Sequence, residues 1–250
     1  MRKTLMILVL LVFALPLSAY SVNTIKDSLR QDFPSSAAVI RKNQREWKRR
    51  IAKADVIHSE GNSREKVPVG MSLDNLKNYN KSVIKGTIYN LEKMRSPRSM
   101  AYTKASVHID KVISGDKSLK DTIVYLALDG GLVSADDWYS EGRHKDYNHD
   151  MLVKNDEFPL PSIGAKIIAG LIPINLDEPI EFNNDLKRSG FTSKNSFAIN
   201  TPQYNFWVKE PKAKKYRLNN PKLRKKNING DYLAESLQQL TKEINKKYND

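Results

Sequence analysis

The chain reads as a mainly β protein: a small antiparallel barrel with a basic helix on its N-terminal side and an amphipathic helix at its C-terminal end. Three observations predict this. Between Ser82 and Leu218 apolar and polar residues alternate in short runs broken by Gly, Pro and Asp, the two-residue period of strands. No helical crossover pattern lies between these runs, and parallel strands need one. On either side of that region the apolar spacing lengthens to steps of three and four, the period of a helix.

At the start, Arg2 and Lys3 precede an apolar run from Leu5 to Leu15, followed by Pro16, Leu17 and the small residues Ser18, Ala19 and Ser21. A charged start, a short apolar run and a small-x-small site form an export signal. A run of about 11–13 residues is shorter than the roughly 20 a spanning helix needs. Residues 1–21 are therefore expected to be a signal peptide, with an uncleaved N-terminal anchor as the alternative. Residues 22–71 follow as linker and basic helix. Ser36 is placed as the N-cap of a helix from Ala37 to Lys53. Val39, Ile40, Trp47 and Ile51 form its apolar stripe, and Arg41, Lys42, Arg45, Lys48, Arg49, Arg50 and Lys53 surround it against Glu46. Such a helix can lie on an anionic membrane. The reading favoured is that it packs Trp47 and Ile51 on the domain and leaves its basic face in water.

Residues 58–70 are polar and expected to be a loop. Ser72 then caps a short helix, Leu73 to Tyr79, with Leu73 and Leu76 inward. Strands are predicted at 82–90, 102–113, 122–128 and 166–172, and shorter ones at 197–199, 205–209 and 215–218. Ser114-Gly115-Asp116-Lys117 and Asp129-Gly130-Gly131 mark turns. These strands make a barrel domain over 72–218. Residues 132–160 are a long polar insertion, and 177–195 carry little periodicity. Residues 219–250 hold the clearest helix: Leu233, Leu237, Leu240, Ile244 and Tyr248 repeat at helical steps, with Asp231 and Glu235 early and Lys246 and Lys247 late, as the helix dipole prefers.

The motifs resemble a family of small exported β-barrel domains found in many Gram-positive bacteria. The resemblance rests on Ser72-Leu73-Asp74-Asn75-Leu76 before Val83-Ile84-Lys85-Gly86-Thr87-Ile88, on the strand end Asp110 to Lys120 containing Gly115-Asp116, on Gly130-Gly131, and on Pro159 or Pro161 with Gly164 and Leu171. It covers about residues 72–218. At the first strand the chain has Lys81-Ser82 where members often carry Ser-Asp or Ala-Asp. The layout is similar to OB-like barrels, including the netrin and metalloproteinase-inhibitor type. Those inhibitors use an N-terminal Cys and disulfides, so their mechanism is not implied. The shared positions are turns and core residues and imply a fold, not a chemistry.

There is no cysteine, and the net charge is +14. Thiol catalysis, Cys-based zinc sites and a lipoprotein anchor are excluded. An exported, Cys-free chain rich in Lys and Asn suggests a Gram-positive cell envelope. Wall teichoic acid, anionic lipid and extracellular DNA are the polyanions it would meet there. The charge is segregated. Residues 129–185 hold twelve acids against four bases, whereas 209–226 hold nine bases against Glu210. The candidate polyanion-binding residues are Lys209, Lys212, Lys214, Lys215, Arg217, Lys222, Arg224, Lys225 and Lys226. Tyr204, Phe206, Trp207 and Tyr216 interleave with them, and bases or sugars stack on such rings; against this, Phe206 and Trp207 are adjacent in a strand, so at least one of them is expected in the core. The basic run is either paired with the acidic one within the fold or turned outward.

For metal, His144, Asp146, His149 and Asp150 supply nitrogen and oxygen donors in one loop. Their spacing matches no standard zinc pair, and Arg143 and Lys145 flank them. No nucleophile elbow, phosphate loop or EF-hand spacing occurs. The leading expectation is a non-catalytic exported module, without cofactor, that binds an anionic cell-wall polymer or membrane surface. The alternatives are a protein–protein interaction module and a metal-assisted hydrolase built on the 144–150 loop. No specific nucleic acid is expected.

Overall fold

In a computed structural model of the chain, residues 36–59, 71–139, 148–224 and 231–249 are described. The expected export signal and the linker before Ser36 lie outside these residues, as do residues 60–70, His144, Asp146, Lys225 and Lys226. Among the described residues no helix is long and apolar enough to cross a membrane.

Five strands close the barrel: β2 (Ser82–Lys93), β3 (Tyr102–Ser114), β4 (Ile123–Asp129), β7 (Lys166–Pro173) and β8 (Ser196–Ile199). They follow each other round the wall as β2-β3-β4-β8-β7 and back to β2. Every pair is antiparallel except β4 and β8. That is the small OB-like barrel expected from the sequence, closed by five strands, with the predicted strands at 205–209 and 215–218 lying outside the closed wall as β9 (Phe206–Lys209) and β10 (Arg217–Leu218). In β4 the alternation is regular. Val124, Leu126 and Leu128 are buried inside, while Tyr125 and Ala127 point out. The first half of β2 is buried on both faces, because Ile84 lines the barrel while Val83 meets helices outside. The interior is filled by Ile88, Val107, Ile109, Ile167, Leu171 and Phe206 among others. Each such side chain taken fully out of water contributes about 1.5–3 kcal/mol, which is how a domain without disulfides holds together.

The barrel closes by a division of labour along one strand. One edge of β7 pairs with β2 from Lys166 to Leu171. Its other edge serves β9 (Phe206–Lys209) over 166–169 and then β8 over 171–173. The hand-over falls on Gly170. Its N–H donates to the Asn205 carbonyl (3.1 Å), and its carbonyl accepts from the Asn200 N–H (3.0 Å). The Asn80 amide lies against it so closely that a Cβ there would overlap the amide atoms. Strand β9 continues into β10 (Arg217–Leu218), which adds a short outer edge.

Helices cover the wall. α1 (Ser36–Ile51) packs Ile40 and Trp47 on the barrel core and leaves Arg41, Lys42, Arg45, Lys48, Arg49 and Arg50 exposed, as expected of a domain helix. Gln44 Nε2 donates to the Ile163 carbonyl at 2.7 Å and fixes its roll. α2 (Leu73–Asn78) is capped by Ser72, whose hydroxyl accepts from Asn75 N–H at 3.1 Å. α5 (Tyr232–Tyr248) is capped by Asp231 and buries Leu237, Leu240 and Ile244 against Leu76, Val83, Ile168 and Trp207. Its negative C-terminal end is met by two barrel lysines. Lys85 Nζ donates to the Tyr248 carbonyl (3.2 Å) and Lys209 Nζ to Asn249 Oδ1 (2.8 Å).

Three segments differ from their sequence reading. The start of the expected 58–70 loop, His58 and Ser59, belongs to β1 (Asp55–Ser59). The polar insertion 132–160 contains β5 (Gly131–Ser134), α3 (Ala135–Trp138) and β6 (Asp150–Asn155), which form a second sheet in the order β1-β6-β5. That sheet has its own small core of Ala101, Val133, Ala135, Met151 and Val153. Residues 177–195 hold α4 (Glu181–Arg188). In each case the element is short and surrounded by charge, so the apolar period is too brief to register.

Replacing Gly170 by Ala is expected to cost about 1–3 kcal/mol by overpacking. Adding Asn80→Ser should restore part of the loss, as a shared clash requires. Urea midpoints of the two single variants and the double variant measure it; strict additivity would refute the contact as the cause.

Candidate functional site

The chain from β9 to β10 returns alongside α5, and a trough runs between them. Two cavities make it up. One, of about 850 Å³, is lined by Lys212, Lys214, Lys215, Arg217, Lys242 and Lys246 with Tyr216, Asn245 and Asn249. The other, of about 690 Å³, is lined by Arg217, Arg224 and Lys242 with Leu218, Leu223 and Leu237. They share Arg217, Thr241 and Lys242. Among the described residues no Asp or Glu lines either cavity. Lys212, Lys214, Lys215, Arg217, Arg224, Lys242 and Lys246 are all exposed.

The walls are held by amides, not by ion pairs. Asn245 Oδ1 accepts from the Tyr216 N–H (2.8 Å), and its Nδ2 donates to the Tyr216 carbonyl (2.9 Å). Asn249 Nδ2 donates to the Lys214 carbonyl at 2.9 Å. Two side chains one helical turn apart thus run along the outer edge of the hairpin as a neighbouring strand would. Because amides are neutral, they align the two walls without cancelling the lysines. Although the Arg224 side chain as a whole is exposed, desolvation of its guanidinium and then the charge of Arg217 push it below its ordinary value.

The candidate cations sort into three groups. Lys212, Lys214, Lys215, Arg217 and Arg224 line the trough. Lys209 is half-buried at the end of α5, and Lys222 is drawn to Glu157 at 2.6 Å, an ion pair between the basic run and the acidic insertion. Lys242 and Lys246 were not singled out by the sequence reading as ligand-binding groups. The available signal was their i,i+4 spacing on the same side of α5 as Thr241, Asn245 and Asn249.

The stacking surface does not form, and both Phe206 and Trp207, of which the sequence places at least one in the core, are buried. Phe206 and Trp207 are 0% exposed and Tyr216 1%. Phe206 fills the barrel, and Trp207 and Tyr216 pack under α5. The Trp207 indole N–H donates to Thr241 Oγ1 at 2.9 Å. Tyr204 packs partly buried against the same cluster. These rings are core, so they offer no stacking platform.

OB-like barrels commonly bind ligands on the outer face of their second and third strands, here β3 and β4. That face is covered. Tyr102 stacks on Phe182 with centroids 4.9 Å apart, and Tyr125 meets Phe191 edge-on at 5.6 Å. Lys104 Nζ sits 4.0 Å above the Tyr125 ring and donates to the Ser189 carbonyl at 3.0 Å. α4 and the segment after it thus occupy the surface an oligomeric ligand would use. Within α4, Asp185 is almost buried, and desolvation, then Glu181, raise its pKa, with Arg188 partly opposing.

Of the metal candidates, His144 and Asp146 lie outside the described residues. His149 Nε2 contacts Asp55 at 2.9 Å, and Asp150 Oδ1 accepts from Lys93 Nζ at 2.6 Å. The two described donors therefore face different partners. Among the described residues no group of three or more potential metal ligands converges. Two His–Asp contacts lie elsewhere. His58 Nδ1 is 3.0 Å from Asp156 on the second sheet, and His108 Nδ1 is 2.8 Å from Asp110, which also accepts from Thr87 at 2.7 Å.

No protein-family model, no curated protein and no solved structure matches the chain.

Asp185→Asn is expected to stabilise the protein at neutral pH. An acid whose folded pKa lies above its unfolded value penalises the folded state at high pH, and the penalty disappears as pH falls through the folded pKa. The gap between variant and wild-type urea midpoints should shrink on acidification. A gap that widens would show that the Asp185 carboxylate is instead stabilising.

Proposed function

We propose that this protein is a non-catalytic binding module of the cell envelope, and that it holds anionic polymers or an anionic lipid surface through the trough between the β9–β10 hairpin and α5. The observation that carries the reading is a recess lined by seven cations and, among the described residues, by no carboxylate. In a protein whose exposed charges merely kept it soluble, both signs would be interspersed there. Export by the N-terminal signal would bring the trough to the polyanions of the envelope. The converging groups are mainly cationic donors, which suit the holding of an anion.

Charge-driven binding of an extended polyanion weakens by about 0.7 log unit of affinity per log unit of salt for each neutralised charge. With six engaged cations, affinity for an anionic polymer should drop about 10²–10³-fold between 50 and 200 mM salt. Arg217→Glu/Lys242→Glu should weaken binding at low salt and flatten the dependence. Binding to isolated envelope material that ignores salt to about 1 M would instead indicate apolar docking of a protein partner, because such contacts are not screened.

A further inference from the structure

The trough has two charged walls that face each other. The hairpin side brings Lys212, Lys214, Lys215 and Arg217, and the helix side brings Lys242 and Lys246. Lys242 and Lys246 stand one turn apart, about 6 Å along the axis. The lining of α5 and its C-cap extends from Leu237 to Asn249, a length of roughly 18 Å at the helical rise. That is long enough for several successive anionic groups. Arg217 and Arg224 lie together at one end, where no carboxylate among the described residues lines the recess, and their mutual repulsion is relieved by any anion placed between. A planar surface of headgroups meets the tips of cations that project in one direction. It does not enter a recess whose charges converge from opposite sides. The rings beneath are withheld: Trp207 spends its N–H on Thr241, and Thr241 in turn donates to the Leu237 carbonyl at 2.7 Å. A ligand is therefore gripped by charge along its length and not by stacking.

We propose, on the polyanion reading, that the occupant is a linear polymer carrying its negative charge along the backbone as phosphate linkages, lying lengthwise between the hairpin and α5. The polymer needs no bases, and neither sequence nor ring structure is read. Binding is set by the number of consecutive phosphates that fit between Arg224 and Lys246.

The test uses the purified chain and three probes: long-chain inorganic polyphosphate, oligothymidylate of matched charge, and vesicles of phosphatidylglycerol in phosphatidylcholine. Variants are Lys242→Glu/Lys246→Glu in the trough, the milder Lys242→Gln/Lys246→Gln, and Arg41→Glu/Arg45→Glu on the exposed face of α1 as a control. Circular dichroism checks that each keeps its helix content. Polyphosphate is expected to bind at least tenfold tighter than vesicles, and no weaker than oligothymidylate. The trough reversal should lose at least tenfold in affinity, the Gln pair should lose less, and the α1 control should match wild type. Vesicles bound as tightly as polyphosphate, with the same dependence on Lys242 and Lys246, would overturn the polymer and leave the polyanion reading standing. Oligothymidylate preferred over polyphosphate would overturn recognition without stacking. Binding lost in the α1 control and kept in both trough variants would overturn the trough itself, and with it the function proposed.

Discussion

The structure depends on β7 having three neighbours. A five-stranded sheet can close on itself only if the last strand finds an edge of the first or of its partner, and β7 lends the second half of its outer edge to β8 for that purpose. The first half of the same edge receives β9. This shared edge makes the barrel and the hairpin that leaves it inseparable. The hairpin in turn supplies the surface on which α5 docks, through Trp207, Tyr216 and Leu218. Barrel, outer hairpin and terminal helix form a chain of dependencies beginning at Gly170, where any side chain would collide with Asn80.

Placement of function follows from what the barrel has already used. α4 closes over β3 and β4 with Phe182 and Phe191, and α1, α2 and α5 take much of the remaining wall. The seam between the hairpin and α5 is left as a recess, and its width is kept by neutral amides. A salt-bridged seam would have been as well aligned, but it would have spent the lysines. Asn245 and Asn249 solve the geometry while leaving the field intact.

Legibility in the sequence tracked length and context. Strands β2, β3, β4 and β7 carry enough alternating residues to be placed within a few positions, and α5 has an unbroken three-and-four repeat. β1, β5 and β6 were missed because each has few alternating residues and sits among Asp, Lys and Asn, a composition shared with loops. α4 was missed because its inward residues, Asn183, Asp185 and Leu186, are mostly polar. The trough was half legible. Its hairpin cations stood out as a charge run, whereas Lys242 and Lys246 become partners to them only when the chain folds back. The rings Phe206, Trp207 and Tyr216 allow two readings in the sequence, a stacking surface or, for at least one of the adjacent pair, core. Adjacent aromatic and basic residues suggest a stacking surface, but a strand alternates its faces, and here a helix covers the outer one. Phe206 turned inward and Trp207 turned outward are then both buried.

Asn245 has a significance beyond alignment. By taking both the N–H and the carbonyl of Tyr216, it occupies the hydrogen-bonding rim that β10 would otherwise present to solvent. An uncovered strand rim is a template for another chain. A copy of this protein clipped by a protease ahead of residue 245 would keep its barrel and expose that template. Its characteristic failure would be self-association strand to strand, with one molecule's hairpin extending another's sheet.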